Sequence, residues 1–501
     1  MKYVLTNGQM RAADEYTIHA LGVPALTLME RAGLALADEV ERELRARKIT
    51  DVLCVCGGGN NGGDGFVCAR LLLERGYDAE VLCAAERLTE ETAAVKAAFE
   101  KAGGKTYALP LRRRFALVVD CLCGTGFSGE LRGKTAELAA YINALGAFVI
   151  SADIPSGVNG DDGKASENAV RADLTVCIGE VKAGVFLRDG LDYAGRVIRV
   201  DVGIEYPEGV EKEYAFLSDG ESVKALIPKR KRNTHKGVYG KAAIVGGSEK
   251  YAGAAFLAAK AALLSGVGYT ALFVPNEILP ACLLRLPEVL LRPLCDGGRV
   301  ALNGSVIEEL NGYGGVAFGM GAECSKGTCD VAVALLENYT GVLVLDADAL
   351  NALAAYDCVS ALKTAKGSVV ITPHVKEFSR LTGRSVEEIL ESGFTAAQAF
   401  AREYGVTVLL KGAATIVTDG TQTAVNITGT AGQAKGGSGD VLSGVIAALC
   451  AGGRSAFDGA RAGAYLAGRA AEIATAVRGE YSLLPTDVIE TLPEAFKEFF
   501  R

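Results

Sequence analysis

The chain has 501 residues, half of them hydrophobic and 22% charged, a balance that excludes wholesale disorder and gives room for more than one core. A net charge of −8 provides no general electrostatic footprint for nucleic acid, and the short basic runs at 112–114 and 229–232 read as solvated faces or linker. The 62 glycines follow no collagen-like period, so they point to tight turns and close backbone approaches, as at phosphate-binding loops.

The first residues, Met1 to Asn7, lack the apolar stretch of a secretory signal. From there to about residue 205, short β-branched runs alternate with amphipathic stretches. Strands are predicted at 52–56, 79–83, 117–120, 148–153, 174–178 and 197–202, with helices at 65–75 and 90–102 among them. This alternation predicts a parallel sheet with helices on both faces, whose ligands bind beyond the carboxyl ends of the strands. Between 205 and 235 the pattern breaks into turn-like and charged sequence, and a domain join is placed near residue 212. A second α/β series follows, with strands predicted at 242–246, 269–274, 315–318, 342–346, 368–372, 406–411 and 415–418. Its most hydrophobic window, 252–275, holds Lys260 and many small residues, and reads as a buried helix running into a strand rather than a membrane span. No repeat relates the two halves, so two different folds are expected, in a cytoplasmic protein with neither membrane nor nucleic acid as partner.

The 13 cysteines are odd in number and form no CxxC pair, which suggests reduced, buried thiols. Two CxC pairs, Cys54/Cys56 and Cys121/Cys123, fall at strand spacing, which puts each pair on one face. A four-thiolate metal site is conceivable there, against the simpler reading of small core residues.

The loops after the predicted strands carry the chemistry. Residues 57–65 read GGGNNGGDG; Gly57, Gly59 and Gly62 satisfy GxGxxG, and the acidic Glu80 lies further on, as in a dinucleotide fingerprint. Asp64, however, stands at the predicted helix entrance, where a pyrophosphate needs free N–H groups; its alternative role is a helix N-cap. Asp120 opens DCLCGTG (120–126) and Asp153 opens DIPSGVNGDDG (153–163). Three carboxylates at one rim of a parallel sheet favour a site, and converging oxygens suit a hard cation. In the second half, AKGGSGDVLSG at 434–444 places clustered glycines and Asp440 before an apolar helix. That arrangement can cradle an anion on backbone N–H groups and supply a base for an attacking hydroxyl. No Gly-Lys-Ser/Thr order follows, so it is not a Walker A loop. ITPHVKEF (371–378), LDADALN (345–351) and LKGAAT (410–415) each put charged groups just after a strand, His374, Asp346 and Lys411 among them.

Residues 20–33, GGGNNGGDG, DCLCGTG and DIPSGVNGDDG together resemble the YjeF N-terminal domain, the NAD(P)H-hydrate epimerases, over about residues 1–211. The resemblance implies a Rossmann-like three-layer αβα fold. It would place the hydrated dinucleotide at Asn60, Asn61, Gly62, Gly63 and Asp64 and at Gly124, Thr125, Gly126, Phe127, Ser128, Gly129 and Glu130. A K⁺ ion would sit on Asn61, Asp120 and Ser156, and Asp153 would face the reacting ring. The substrate is a hemiaminal, so a carboxyl group able to give and take a proton is what its epimerisation requires.

THKGVYG (234–240), Gly246-Gly247-Ser248 and the loops of the second half resemble the YjeF C-terminal domain over about 212–501, the ribokinase-like NAD(P)H-hydrate dehydratases. That implies ADP with Mg²⁺. Ala254, Gly321, His374 and Asp440 would surround the hydrate, and Lys411, Gly412, Ala413, Ala414, Thr415 and Gly439 the nucleotide. Where the family often has Met before its Ala-x-Gly-Gly run, this chain has Gln433. The expected substrates are NADHX, NADPHX and ADP, in a homo-oligomer. The rival reading is a ribokinase-like kinase of a small alcohol fused to a non-catalytic Rossmann-like binding domain.

Overall fold

The computed structural model describes residues 3–83, 85–108, 113–294 and 304–500; Arg112 of the first basic run and Cys295 lie outside them. The chain divides into two compact units, Lys2–Tyr214 and Ala215–Arg501.

Nine strands of the first unit are described: β1 (Tyr3–Leu5), β2 (Asp51–Cys56), β3 (Asp78–Leu82), β4 (Lys105–Tyr107), β5 (Leu117–Cys121), β6 (Phe148–Ala152), β7 (Leu174–Ile178), β8 (Val181–Lys182) and β9 (Arg196–Val200). Seven form a parallel sheet in the order β4-β3-β2-β5-β6-β7-β9, while β1 pairs with β8. Strands buried on both faces read as nearly continuous apolar runs, and β2 shows why. Val52, Cys54 and Cys56 pack with Met29, Leu36, Val40, Phe66 and Phe99 on one face. Leu53 and Val55 pack with Leu138 and Ile142 on the other.

Helix Asn60–Glu74 begins five residues before the predicted start at 65, so Asp64 is inside its first turns and is not an N-cap. The cause is contact, not turn chemistry. A Cβ on Gly62 would lie 2.0 Å from the Gly57 carbonyl oxygen, and one on Gly65 would lie 2.6 Å from Cys56 Sγ. These glycines let the helix press against β2 and β5.

The second unit adds β10 (Ala215–Leu217), β11 (Lys241–Val245), β12 (Tyr269–Pro275), β13 (Leu290–Leu294), β14 (Gly315–Phe318), β15 (Val342–Leu345), β16 (Ser368–Ile371), β17 (Thr407–Leu410), β18 (Thr415–Thr418) and β19 (Thr423–Asn426). Their order is β13-β12-β11-β14-β15-β16-β17-β18-β19-β10. The β17–β18 and β18–β19 pairs are antiparallel and the rest parallel. The apolar window at 252–275 is helix Ala252–Leu264 followed by β12. Helices Ser438–Ala451, Ala456–Arg478 and Pro485–Lys497 bury Val445, Leu466, Ile489 and Leu492 in one cluster. No described helix is long and apolar enough to cross a membrane.

Candidate active sites

In the first sheet the strand order reverses between β2 and β5, and ligands of doubly wound sheets bind beyond the strand ends at such a point. A cleft of about 840 Å³ opens there. Asn60, Asn61 and Asp64 line it after β2, the residues Gly124 to Ser128 and Glu130 after β5, and Asp153 after β6. Gly62, Gly63 and Gly129 do not line it; Gly62 and Gly63 are buried in the helix's inner face.

Asp120 and Ser156 lie behind the cleft in a buried knot. Asp120 Oδ1 accepts from Ser156 Oγ (2.6 Å) and Leu122 N (3.2 Å); Oδ2 accepts from Ser151 Oγ (2.8 Å) and Ser156 N (2.9 Å). Burial raises the Asp120 pKa above its ordinary value, against the pull of the Ser156 and Ser151 hydrogen bonds. Asn61 Nδ2 donates to the Cys123 carbonyl (2.8 Å), which leaves Asn61 Oδ1 buried without a hydrogen-bond partner among the described residues.

The wall of the cleft holds a charge cluster that the sequence reading found only in part. Asp153 adopts a left-handed backbone (φ 69°), uncommon for a residue with a side chain. Its Oδ1 accepts from the Lys182 ammonium and from Ile178 N (3.2 Å). Lys182 is 1% exposed and also donates to the Ile178 carbonyl (2.7 Å). Asp14, on helix Asn7–Glu15, lines the same cleft. Burial lifts its pKa to about 6; the Lys182 charge opposes this, and Asp153 and Glu15 add to it. Asp64 is raised well above its ordinary value by burial, then by Asp153 and Asp14. Asp14 and Lys182 were missed. The signal for Lys182 was a lone cation inside a buried apolar run, which demands a partner.

The two CxC pairs are core packing. Cys54, Cys56 and Cys121 are buried; burial pushes Cys56 up to about 11 and Cys123 up to about 12, so they remain thiols. Among the described residues no group of three or more His, Cys, Asp or Glu is placed to hold a metal.

In the second sheet the order reverses between β11 and β14. Gly321, beyond β14, has φ 67°, and a Cβ there would sit 3.0 Å from Ala254 Cβ, so these two predicted residues adjoin. Beyond β15, Asp346 is buried: Oδ1 accepts from Lys411 Nζ (2.8 Å) and Oδ2 from Ser443 Oγ (2.8 Å). Burial alone would raise the Asp346 pKa; the Lys411 charge and the two hydrogen bonds outweigh it and hold the carboxyl below its ordinary value. Lys411 Nζ is also 3.8 Å from Glu377 Oε2, and a Cβ on Gly439 would lie 3.3 Å from the ammonium.

Gly437, in the left-handed region (φ 101°), caps helix Ser438–Ala451, and Asp440 lies in its first turn. Burial, then the Asp346 charge, raises the Asp440 pKa to about 7. His374 caps helix Val375–Thr382: Nδ1 accepts from Glu377 N (3.1 Å), while His374 N donates to Glu377 Oε2 (2.8 Å). Burial and the Lys411 charge lower the His374 pKa, so the ring is neutral at pH 7 and its hydrogen sits on Nε2. A structural role and an available donor therefore coexist in one side chain. Glu377, read from the sequence with His374 just after a strand, and Ser443 complete the cluster; Ser443 was missed, its signal a polar residue among apolar helical neighbours.

Residues 25–184 match the family described as YjeF-related protein N-terminus, and residues 242–494 match the family described as NAD(P)H-hydrate dehydratase. A bifunctional NAD(P)H-hydrate repair enzyme from Moorella thermoacetica is 34% identical over 98% of this chain and 96% of its own. The chain belongs to the bifunctional NAD(P)H-hydrate repair enzymes. Another relative under that name, from Thermofilum pendens, is 35% identical over 98% of this chain and 95% of its own. A ribokinase-like superfamily protein from Enterococcus faecalis shares the fold of the second unit, with a TM-score of 0.50, 21% identity, and coverage of 59% of this chain and 98% of its own. The repair-enzyme chain thus joins a Rossmann-like unit to a ribokinase-like one.

Proposed function

We propose that the first unit interconverts the R and S epimers of hydrated NADH and NADPH, and that the second dehydrates the S epimer at the expense of ADP, giving AMP and phosphate. The observation that supports this best is kinship running through both units with enzymes of that double name. A small-alcohol kinase with a silent partner domain does not account for it.

In the first unit the cleft-lining residues Asn60, Asn61, Asp64, Gly124 to Ser128 and Glu130 would take the dinucleotide, and Asp153 would move the proton. Protonating the hydroxyl on the carbon beside the ring nitrogen lets the nitrogen lone pair expel water; re-addition on the other face inverts the centre. Asn61, Asp120 and Ser156 fit K⁺: one carboxylate among neutral oxygens suits a monovalent cation, and Asn61 Oδ1 is a buried acceptor in need of a partner. Asp120 already accepts four hydrogen bonds, so it would contribute charge more than a free lone pair. When bound, K⁺ would supply positive charge that ties three loops together.

In the second unit Lys411 to Thr415 with Gly439 would hold ADP, whose phosphates bring Mg²⁺, and Ala254, Gly321 and His374 would hold the hydrate. Asp440 would take the proton of the ring hydroxyl as it attacks the β-phosphoryl group, cradled on the N–H groups after Gly437. Phosphate then leaves, pushed by the ring nitrogen, and loss of a neighbouring proton restores the reduced nicotinamide. Phosphate is the better leaving group, which explains the need for a nucleotide.

The test is incubation of hydrated NADH with the full chain, ADP and Mg²⁺. Reduced-nicotinamide absorbance should return with ADP and stay flat without it; a flat trace with ADP rejects the reading. The expected homo-oligomer is checked by light scattering, and the cytoplasmic location by cell fractionation.

A further inference from the structure

An inversion at a ring carbon needs a proton delivered on one face and a proton removed on the other. A single carboxyl group reaches one face at a time. Acidic side chains from several segments line the cleft of the first unit, Asp64 and Glu130 among them; two more are Asp153 at the end of β6 and Asp14 on the helix Asn7–Glu15. Asp153 Oδ1 accepts from the buried Lys182 ammonium and from Ile178 N, so its carboxyl is fixed in the cleft wall. Asp14 is half-buried, and burial, offset in part by Lys182, raises its carboxyl pKa to about 6, where it can both give and take a proton near neutral pH. Two carboxyl groups reaching one cleft from separate segments can serve as an acid and a base on the same substrate.

We propose that Asp14 is the second proton-transferring residue of the epimerase site, serving the ring face opposite the one served by Asp153; the assignment rests on the epimerase reading above. In one direction the Asp14 carboxyl gives its proton to the ring hydroxyl. The carbon–oxygen bond breaks and water leaves, while the nitrogen lone pair becomes a carbon–nitrogen double bond. Water then attacks the same carbon from the other face. The new carbon–oxygen bond returns the electron pair to nitrogen, and the Asp153 carboxylate takes the proton. Nothing is oxidised or reduced; one proton has passed from Asp14 to Asp153, and solvent resets the pair. In the reverse direction the two residues exchange roles. The carboxylates also place negative charge beside the cationic ring intermediate.

The experiment uses the full chain without ADP, each hydrate epimer in H₂¹⁸O, and chiral separation to follow inversion and oxygen exchange together. Asp14→Asn should slow inversion in both directions by roughly 10²–10⁴-fold. It should leave one epimer still exchanging its oxygen faster than it inverts, because Asp153 can still expel and re-add water on its own face. Asp153→Asn should show the same retention on the opposite epimer, and Asp14→Glu should recover part of the inversion. The Tm of the first unit in the Asp14→Asn chain should stay within a few degrees of wild type, which separates lost proton transfer from misfolding of that unit. Inversion by Asp14→Asn within threefold of wild type, or equal loss of exchange from both epimers, overturns the assignment. A wild-type chain that inverts neither epimer overturns the epimerase reading itself.

Discussion

Asp440 offers the most direct test of the second site. Its carboxyl pKa is raised to about 7 because it is buried and lies near the Asp346 charge. A base works only when ionised, so its competent fraction rises with pH. For a pKa of about 7 that fraction is roughly 9% at pH 6, 50% at pH 7 and 91% at pH 8. The kcat/KM for S hydrate should therefore climb about fivefold between pH 6 and 7 and less than about twofold between pH 7 and 8. Asp440→Asn keeps the glycine cradle and the hydrogen-bonding shape but removes the base. The expected loss is roughly 10²–10⁴-fold, or about 2.7–5.4 kcal/mol on the barrier, with AMP affinity nearly unchanged. The assay is the ADP-dependent return of reduced-nicotinamide absorbance over that pH range, with nucleotide binding measured by calorimetry. Full turnover by the Asn variant, or the same pH dependence persisting in its residual activity, would refute the assignment.

K⁺ should support epimerisation, and replacing it by the smaller Na⁺ should weaken it, since Asn61, Asp120 and Ser156 sit on three separate loops; equal rates in K⁺-containing and K⁺-free buffer count against a cation there. Lys182→Met strips the partner from a buried carboxylate and should cost the first unit about 3–5 kcal/mol, read as a lowered Tm for that unit alone. A change below about 1 kcal/mol would mean that Asp153 is solvated or protonated. Chains cut after Tyr214, which keeps its packing against Leu5 and Met10, should fold as separate halves. On mixed epimers the second half with ADP should repair the S fraction fast and then slow; adding the first half should abolish the slow phase, and its Asp153→Asn form should not.

The central strands were legible because they are buried on both faces: β7, β14 and β18 have the bounds their apolar runs predict, and β2 and β5 differ by one residue. Of the edge strands, β9 was read to within two residues, but β4 and β8 were not. β4 is three partly exposed residues and β8 is two, too short for any pattern. The start of helix Asn60–Glu74 was hidden because its glycines look like loop sequence, whereas they serve close packing, a property of the neighbour they touch. Asp153 and Asp440 were readable from the loops that hold them. Asp14, Lys182 and Ser443 were not, since each acquires its meaning from a carboxylate far away in the chain. His374 carried two roles, and only the geometry of its two ring nitrogens separates them.

The cysteines that fill both cores have a practical consequence. Cys54, Cys56, Cys68, Cys83, Cys121 and Cys177 are buried in the first unit, and Cys282, Cys329 and Cys450 in the second; of the described cysteines, Cys324 alone is exposed. Thiols shielded from solvent react slowly with alkylating reagents. Each therefore becomes labelled only when its own unit opens. Timed alkylation followed by peptide mass analysis would read the opening free energy of the two units separately, from a single intact polypeptide and without any introduced probe.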